Sequence, residues 1–238
     1  MSMAKTPTGP VKVEACDKCR GTGYIVNDGI AAPCDCGLIE AVQGRVRIGG
    51  AELPKRFATK DFSNFKADRK ERERDAVLAA AKAYATTFHG SESEGLLLRG
   101  ITGCGKTHIA IAILKEVIAR GYSGYYANFN DLLSRIRDSY NSESGASEAE
   151  LLDAVDSVQL LVLDDVGAES TTDWVRDRLY LIINRRYENA LPTIITTNCD
   201  EAELEARVGP RIVSRLHEMC SFDFPPFPKQ DYRRAQMK

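Results

Sequence analysis

Residues Gly100-Ile101-Thr102-Gly103-Cys104-Gly105-Lys106-Thr107 read G-x-x-x-x-G-K-T. That order of residue types builds a phosphate site. Glycines let the backbone turn tightly, so that successive N–H groups face one concavity and hold an anion. Lys106 brings a cation to the β- and γ-phosphates of a nucleotide, and Thr107 offers a hydroxyl to Mg²⁺. A second stretch, Val158-Gln159-Leu160-Leu161-Val162-Leu163-Asp164-Asp165, ends an apolar run in two carboxylates. Asp164 suits the Mg²⁺ partner, and Asp165 the group that orients or deprotonates an attacking water. Aspartate reaches one methylene less far than glutamate, so Glu169 is the reserve candidate.

Further residues extend this chemistry. Leu191-Pro192-Thr193-Ile194-Ile195-Thr196-Thr197-Asn198 is another apolar run with a polar end. Asn198, a neutral hydrogen-bonding group, can sit between the attacking water and the γ-phosphate. Arg211 and Arg215 lie four apart and share a helix face. They either reach a neighbouring subunit's γ-phosphate or form a salt-bridged surface pair. Near the N-terminus, Cys16-x-x-Cys19 and Cys34-x-Cys36 can place four thiolates around Zn²⁺. Four reduced cysteines without metal is the other reading.

The elements that must position these groups are legible. Leu96-Leu97-Leu98 is a short buried strand before the glycine loop. His108 to Arg120 has helical apolar spacing, so its N-terminus faces the phosphates. Ala67 to Phe88 reads as one long helix. Gly124 to Phe129 is a strand, and Asn130-Asp131 caps a helix running to about Tyr140. Ser147 to Ser157 is a further helix with Leu151, Leu152 and Val155 on one face. Arg135 and Arg137 on the first of this pair either contact a single-stranded phosphate backbone or are merely solvated. Asp164 and Asn198 end strands that read as buried on both faces of a parallel sheet, where ligands gather at the carboxyl edge. Thr172-Asp173-Trp174 starts a helix, and Pro210 opens the last one. Leu53 to Phe65, including Phe57, either covers an adenine ring or straps across the core. Tyr24-Ile25-Val26 followed by Asn27-Asp28-Gly29 predicts a strand into a hairpin turn, and Leu38 to Val46 a short helix. Gly49-Gly50 marks a boundary between a cysteine module at 1–50 and a nucleotide domain at 51–238.

Composition bounds the rest. The 238 residues carry a net charge of −2 and are 43% hydrophobic. That is enough for a core and gives no global attraction to nucleic acid or membrane. No apolar run approaches a membrane span, and Met1 to Pro10 lacks the apolar centre of a signal peptide. A cytoplasmic location is the expectation. Seven cysteines without a secretion signal favour metal over disulfides. Cys104, Cys199 and Cys220 read as core or loop filler.

Taken together, the motifs at 100–108, 161–169, 191–198 and 211–216 resemble the AAA+ ATPase superfamily. More narrowly, they resemble DnaC/DnaI-type helicase loaders and their IstB-like relatives. The resemblance spans about 53–234. It implies an α/β P-loop NTPase with a parallel sheet flanked by helices and no C-terminal lid. It implies that Gly100 to His108 and Phe57 bind ATP. Lys106, Asp164, Asp165 and Asn198 then take the catalytic roles, with Thr107 and Asp164 on Mg²⁺. Arg215, with Arg211 beside it, matches the arginine-finger segment. The helix pair at 130–157 matches an insertion that engages single-stranded DNA. The Cys16/Cys19/Cys34/Cys36 module is similar to the zinc-bearing region by which such loaders grip a hexameric replicative helicase. Self-association through the ATP interface is implied as well. Two rival expectations are an IstB-like ATPase that helps a transposase select target DNA, and an adaptor switched by nucleotide without hydrolysis.

Overall fold

The computed structural model describes residues 24–27, 30–33, 53, 55–65, 72–140, 147–168 and 172–235, the first two segments as backbone alone. Cys16, Cys19, Cys34, Cys36, Glu169 and the expected helix at 38–46 lie outside the described residues. The chain divides into two compact units, Met1–Arg45 and Val46–Lys238. In the first, β1 (Tyr24–Asn27) pairs antiparallel with β2 (Ile30–Pro33), Tyr24 opposite Pro33, as the hairpin signal predicts.

The second unit is built on a five-stranded parallel sheet. Its strands are β3 (Gly95–Arg99), β4 (Gly124–Asn128), β5 (Leu160–Asp164), β6 (Thr193–Thr197) and β7 (Cys220–Ser221), in spatial order β4-β5-β6-β3-β7. Strand periodicity of two sends neighbouring residues to opposite faces. Leu97, Tyr125, Leu161, Leu163 and Ile195 therefore enter one core cluster, and Leu96, Leu98, Tyr126, Val162 and Ile194 the other. Both faces are covered, which is why the strands read as unbroken apolar runs.

The second cluster is closed by α2 (Arg72–Thr87) and α3 (Lys106–Ala119). The first is closed by α4 (Phe129–Ser139), α5 (Glu148–Asp156), α6 (Asp173–Glu188), α7 (Glu201–Val208) and α8 (Pro210–Met219). A four-residue helix, α1 (Lys55–Ala58), precedes them, and another, α9 (Tyr232–Ala235), follows.

Several expectations change in detail. The cap of α4 is Asn128, whose side chain accepts from the Asp131 N–H, rather than Asn130-Asp131. The strand stops earlier than expected because that asparagine offers the first turn an acceptor. Leu151, Leu152 and Val155 are all buried, and Ser147 with Glu150 forms a capping box at the head of α5. Helices α1, α7 and α9 and the edge strand β7 depart from the sequence reading, so the helix opened by Pro210 is not the last. These helices are short, and a two-residue strand leaves no periodicity to read. Cys104, Cys199 and Cys220 are buried free thiols. Among the described residues no helix is long and apolar enough to cross a membrane.

Candidate functional site

The carboxyl edge of the sheet opens into a cavity of about 570 Å³. Its floor is the glycine loop between β3 and α3. Gly103 (φ 81°) and Gly105 (φ 109°) hold left-handed conformations that L side chains rarely adopt. A Cβ on Gly103 would lie 1.9 Å from Asp231 Oδ1, and one on Gly105 2.7 Å from the Phe65 ring. The loop ends in the first turn of α3, whose N–H groups have no intrahelical partner and carry the positive end of the helix dipole.

Lys106 is buried, and its ammonium donates to the carbonyls of Gly100 (2.7 Å) and Ile101 (2.9 Å) and to Asn198 Oδ1 (2.8 Å). Burial pushes its pKa down, opposed by Cys104, Asp165 and Asp164. Thr107 Oγ1 donates to Asp164 Oδ1 (2.8 Å), and Thr196 Oγ1 donates to the same oxygen (2.6 Å). Tyr126 donates to Asp164 Oδ2 (2.9 Å). Burial raises the Asp164 carboxyl above its ordinary range, and the three hydroxyls pull it back. Asp165 follows with φ 63°, a left-handed backbone that aspartate tolerates at a cost of about 1 kcal/mol. Its N–H is held by Thr196 Oγ1, and its Oδ1 accepts from Asn198 Nδ2 (2.9 Å).

The lead-in segment forms one wall. Phe57 lines the cavity and meets Tyr126 edge-on, with ring centroids 5.9 Å apart. His108 Nε2 donates to the Asp61 carbonyl (2.8 Å) and packs edge-on to Phe65. Desolvation lowers the pKa of this imidazole. The chain after β7 forms the other wall. Phe227 packs over Gly100, the Tyr232 N–H donates to Gly103 O (3.2 Å), and Arg233 lines the cavity. Arg74 stacks between Phe65 and Tyr232, its guanidinium 4.6 and 4.0 Å from the two ring centroids.

Lys106, Thr107, Asp164, Asp165 and Asn198 thus meet in one place, together with Thr102 to Gly105, His108 and Phe57. Ile101 is exposed at the loop's crest. Arg211 and Arg215 do not line the cavity. Arg215 Nε donates to Asn184 Oδ1 (2.9 Å), Nη2 to the Tyr180 hydroxyl (3.0 Å) and Nη1 to the Arg211 carbonyl (3.1 Å). The Arg211 side chain is exposed at the head of α8. Arg137 stacks on Trp174, 4.8 Å from its ring. Phe65 lies in the entry segment singled out from the sequence, whereas sequence reading missed Arg74, Tyr126, Thr196 and Arg233 as cavity residues or their supports. Only Thr196, in a strand that ends polar, left a signal.

The residues fit a magnesium–nucleotide complex. A glycine cradle, orphan helix N–H groups and a lysine face phosphate, and a hydroxyl–carboxylate pair faces a hard cation. The family model described as IstB-like ATP binding protein matches residues 47–214. The chain belongs to the IstB-like ATP-binding family.

Other likenesses of this IstB-like chain agree. It is 31% identical over 140 residues to the replicative helicase loader DnaC of Escherichia coli (strain K12), covering 59% of this chain and 56% of that protein. It is 34% identical over 125 residues to the replicative helicase loader DnaI of Bacillus subtilis (strain 168), covering 52% and 38%. The match spans little more than half the length of the DnaC relative and under two fifths of the DnaI relative. A crystal structure of the DnaC helicase loader superposes with a TM-score of 0.64 at 31% identity, over 71% of this chain and 97% of that one. AMPPCP-bound DnaA from Aquifex aeolicus gives 0.58 at 23% identity, over 71% and 50%, and shows the shared AAA+ fold.

Proposed function

We propose that this IstB-like chain is an ATPase that loads a replicative helicase onto single-stranded DNA. The observation that carries the reading is the convergence of Lys106, Thr107, Asp164, Asp165 and Asn198 on one cavity, in a chain related to DnaC. Asp164 and Thr107 would hold Mg²⁺, which when bound neutralises phosphate charge and polarises the γ-phosphoryl group. Lys106 exchanges loop carbonyls for phosphate oxygens. Asp165 takes the proton of the attacking water, and Asn198 orients that water. Phe57 covers the base. Arg215, with Arg211 beside it, serves the site of a neighbouring copy, so that hydrolysis follows self-association.

In this reading Cys16, Cys19, Cys34 and Cys36 hold Zn²⁺ and build the docking surface for the hexameric helicase, and the protein acts in the cytoplasm. A hairpin whose register pairs Tyr24 with Pro33 returns the chain between the two cysteine pairs, as a four-ligand site needs. Zinc released by a chelator should approach one equivalent per chain; less than half would sink the site. The helix pair α4–α5, with Arg135 and Arg137, is the surface proposed for single-stranded DNA.

The test is a pull-down from host lysate with ATP present, using the full chain and one starting at Gly50, read by mass spectrometry. A replicative helicase captured by the full chain alone is the expected result. The family match favours one second reading, an IstB-like partner of a transposase. Capture of a transposase, with binding to duplex in preference to single-stranded DNA, would replace the loader.

A further inference from the structure

The Tyr125-Tyr126 doublet of β4 is split by the pleat. Tyr125 enters the core beneath α4 to α8, and Tyr126 the core beneath α2 and α3. A phenylalanine would fill the second position equally well, so the hydroxyl of Tyr126 needs its own account. It donates to Asp164 Oδ2 at 2.9 Å, the oxygen that neither Thr107 nor Thr196 uses. Tyr126 is 5% and Asp164 3% exposed, so no bulk water competes for that bond. An ionised carboxylate only accepts hydrogen bonds, and three donors from β4, α3 and β6 fix its plane. The Tyr126 ring is itself braced by the edge-on contact with Phe57.

We infer that Tyr126 is a positioning residue for the nucleotide's divalent cation: its hydroxyl holds Asp164 turned so that Oδ1 faces Thr107. The inference rests on reading the cavity as a magnesium–nucleotide site. Residues that orient a metal-binding carboxylate act on metal affinity more than on packing. Removing this hydroxyl therefore separates cation binding from nucleotide binding.

The experiment uses the full chain and a fluorescent ATP analogue, titrated with Mg²⁺ and separately bound in EDTA. In Tyr126→Phe the Mg²⁺ midpoint should rise roughly tenfold, while affinity in EDTA stays at the parent's value. An unchanged midpoint, or equal losses with and without Mg²⁺, would overturn the role. Thr196→Val removes another donor from the same carboxylate and should move the same midpoint. A shift there without one in Tyr126→Phe also overturns it. A parent whose nucleotide binding ignores Mg²⁺ overturns instead the reading of the cavity.

Discussion

Lys106 Nζ lies 2.8 Å from Asn198 Oδ1, and the amide of the same asparagine donates to Asp165 at 2.9 Å. One side chain thus joins the loop's cation to the carboxylate assigned to water. Asn198→Ala should leave nucleotide affinity near the parent's and lower the hydrolysis rate by about 10²-fold, since a group that orients the nucleophile acts in the transition state. Paired binding and turnover measurements decide it. Equal losses in both would assign Asn198 to binding alone.

Arg215 is clamped by three hydrogen bonds and lies over the Tyr180 ring at 4.8 Å. Two of its five N–H groups stay uncommitted, one on each terminal nitrogen, in the fork that suits phosphate. Arg215→Ala and Asp165→Ala should each be inactive alone. Mixed, they should recover activity, because one supplies an intact site and the other an intact arginine. A mixture as dead as its parts would end the shared-site proposal.

Arg233 lines the cavity, and its charge helps to depress the pKa of Lys106. With Lys106, the cavity is also lined by Arg56, Lys60 and Arg74, and such a set of cations favours the more highly charged ligand. Arg233→Ala should weaken ATP more than ADP, by about 1 kcal/mol in the difference. Titration calorimetry with both nucleotides checks this. Equal weakening would place Arg233 outside the γ-phosphate's reach.

Arg186 is fully buried and faces oxygens other than carboxylates. Nε donates to Thr193 Oγ1, Nη1 to the carbonyls of Val155 and Val158, and Nη2 to that of Pro192. Burial lowers its pKa to about 10, so it stays charged at neutral pH. It ties the end of α5 to the starts of β5 and β6. Arg186→Met strands those acceptors and should cost about 3 kcal/mol. Denaturant unfolding measures it, and a loss under 1 kcal/mol would mean that the loops re-solvate.

The carboxyl of Asp164 titrates above its usual 3.8 because burial disfavours the anion. A raised folded value means that the folded chain takes up this proton more readily than the unfolded one. This group therefore adds stability as pH falls through the raised pKa, while the anion proposed to hold Mg²⁺ is lost over the same range. Nucleotide binding with Mg²⁺ should weaken on acidification at a pH above that of an ordinary aspartate, and binding in EDTA should not. Curves that fall together would assign the change to another group.

Local sequence patterns mark the candidate site's central residues and most of the scaffold. Gly100 to Thr107, the run into Asp164-Asp165 and the run into Asn198 are local patterns. Glycine freedom, a helix N-terminus and strands buried on both faces each leave a periodic or compositional mark. Tertiary structure decided which distant groups complete the site. Tyr126, Arg74 and Arg233 come from a strand, a helix and the chain after β7. They meet only because β4 lies beside β5 and the later chain crosses Gly103. Sheet order and loop crossing are set by the packing of the whole core, so no spacing along the chain encodes them. The same holds for Arg215, whose clamp depends on α6 and α8 packing side by side.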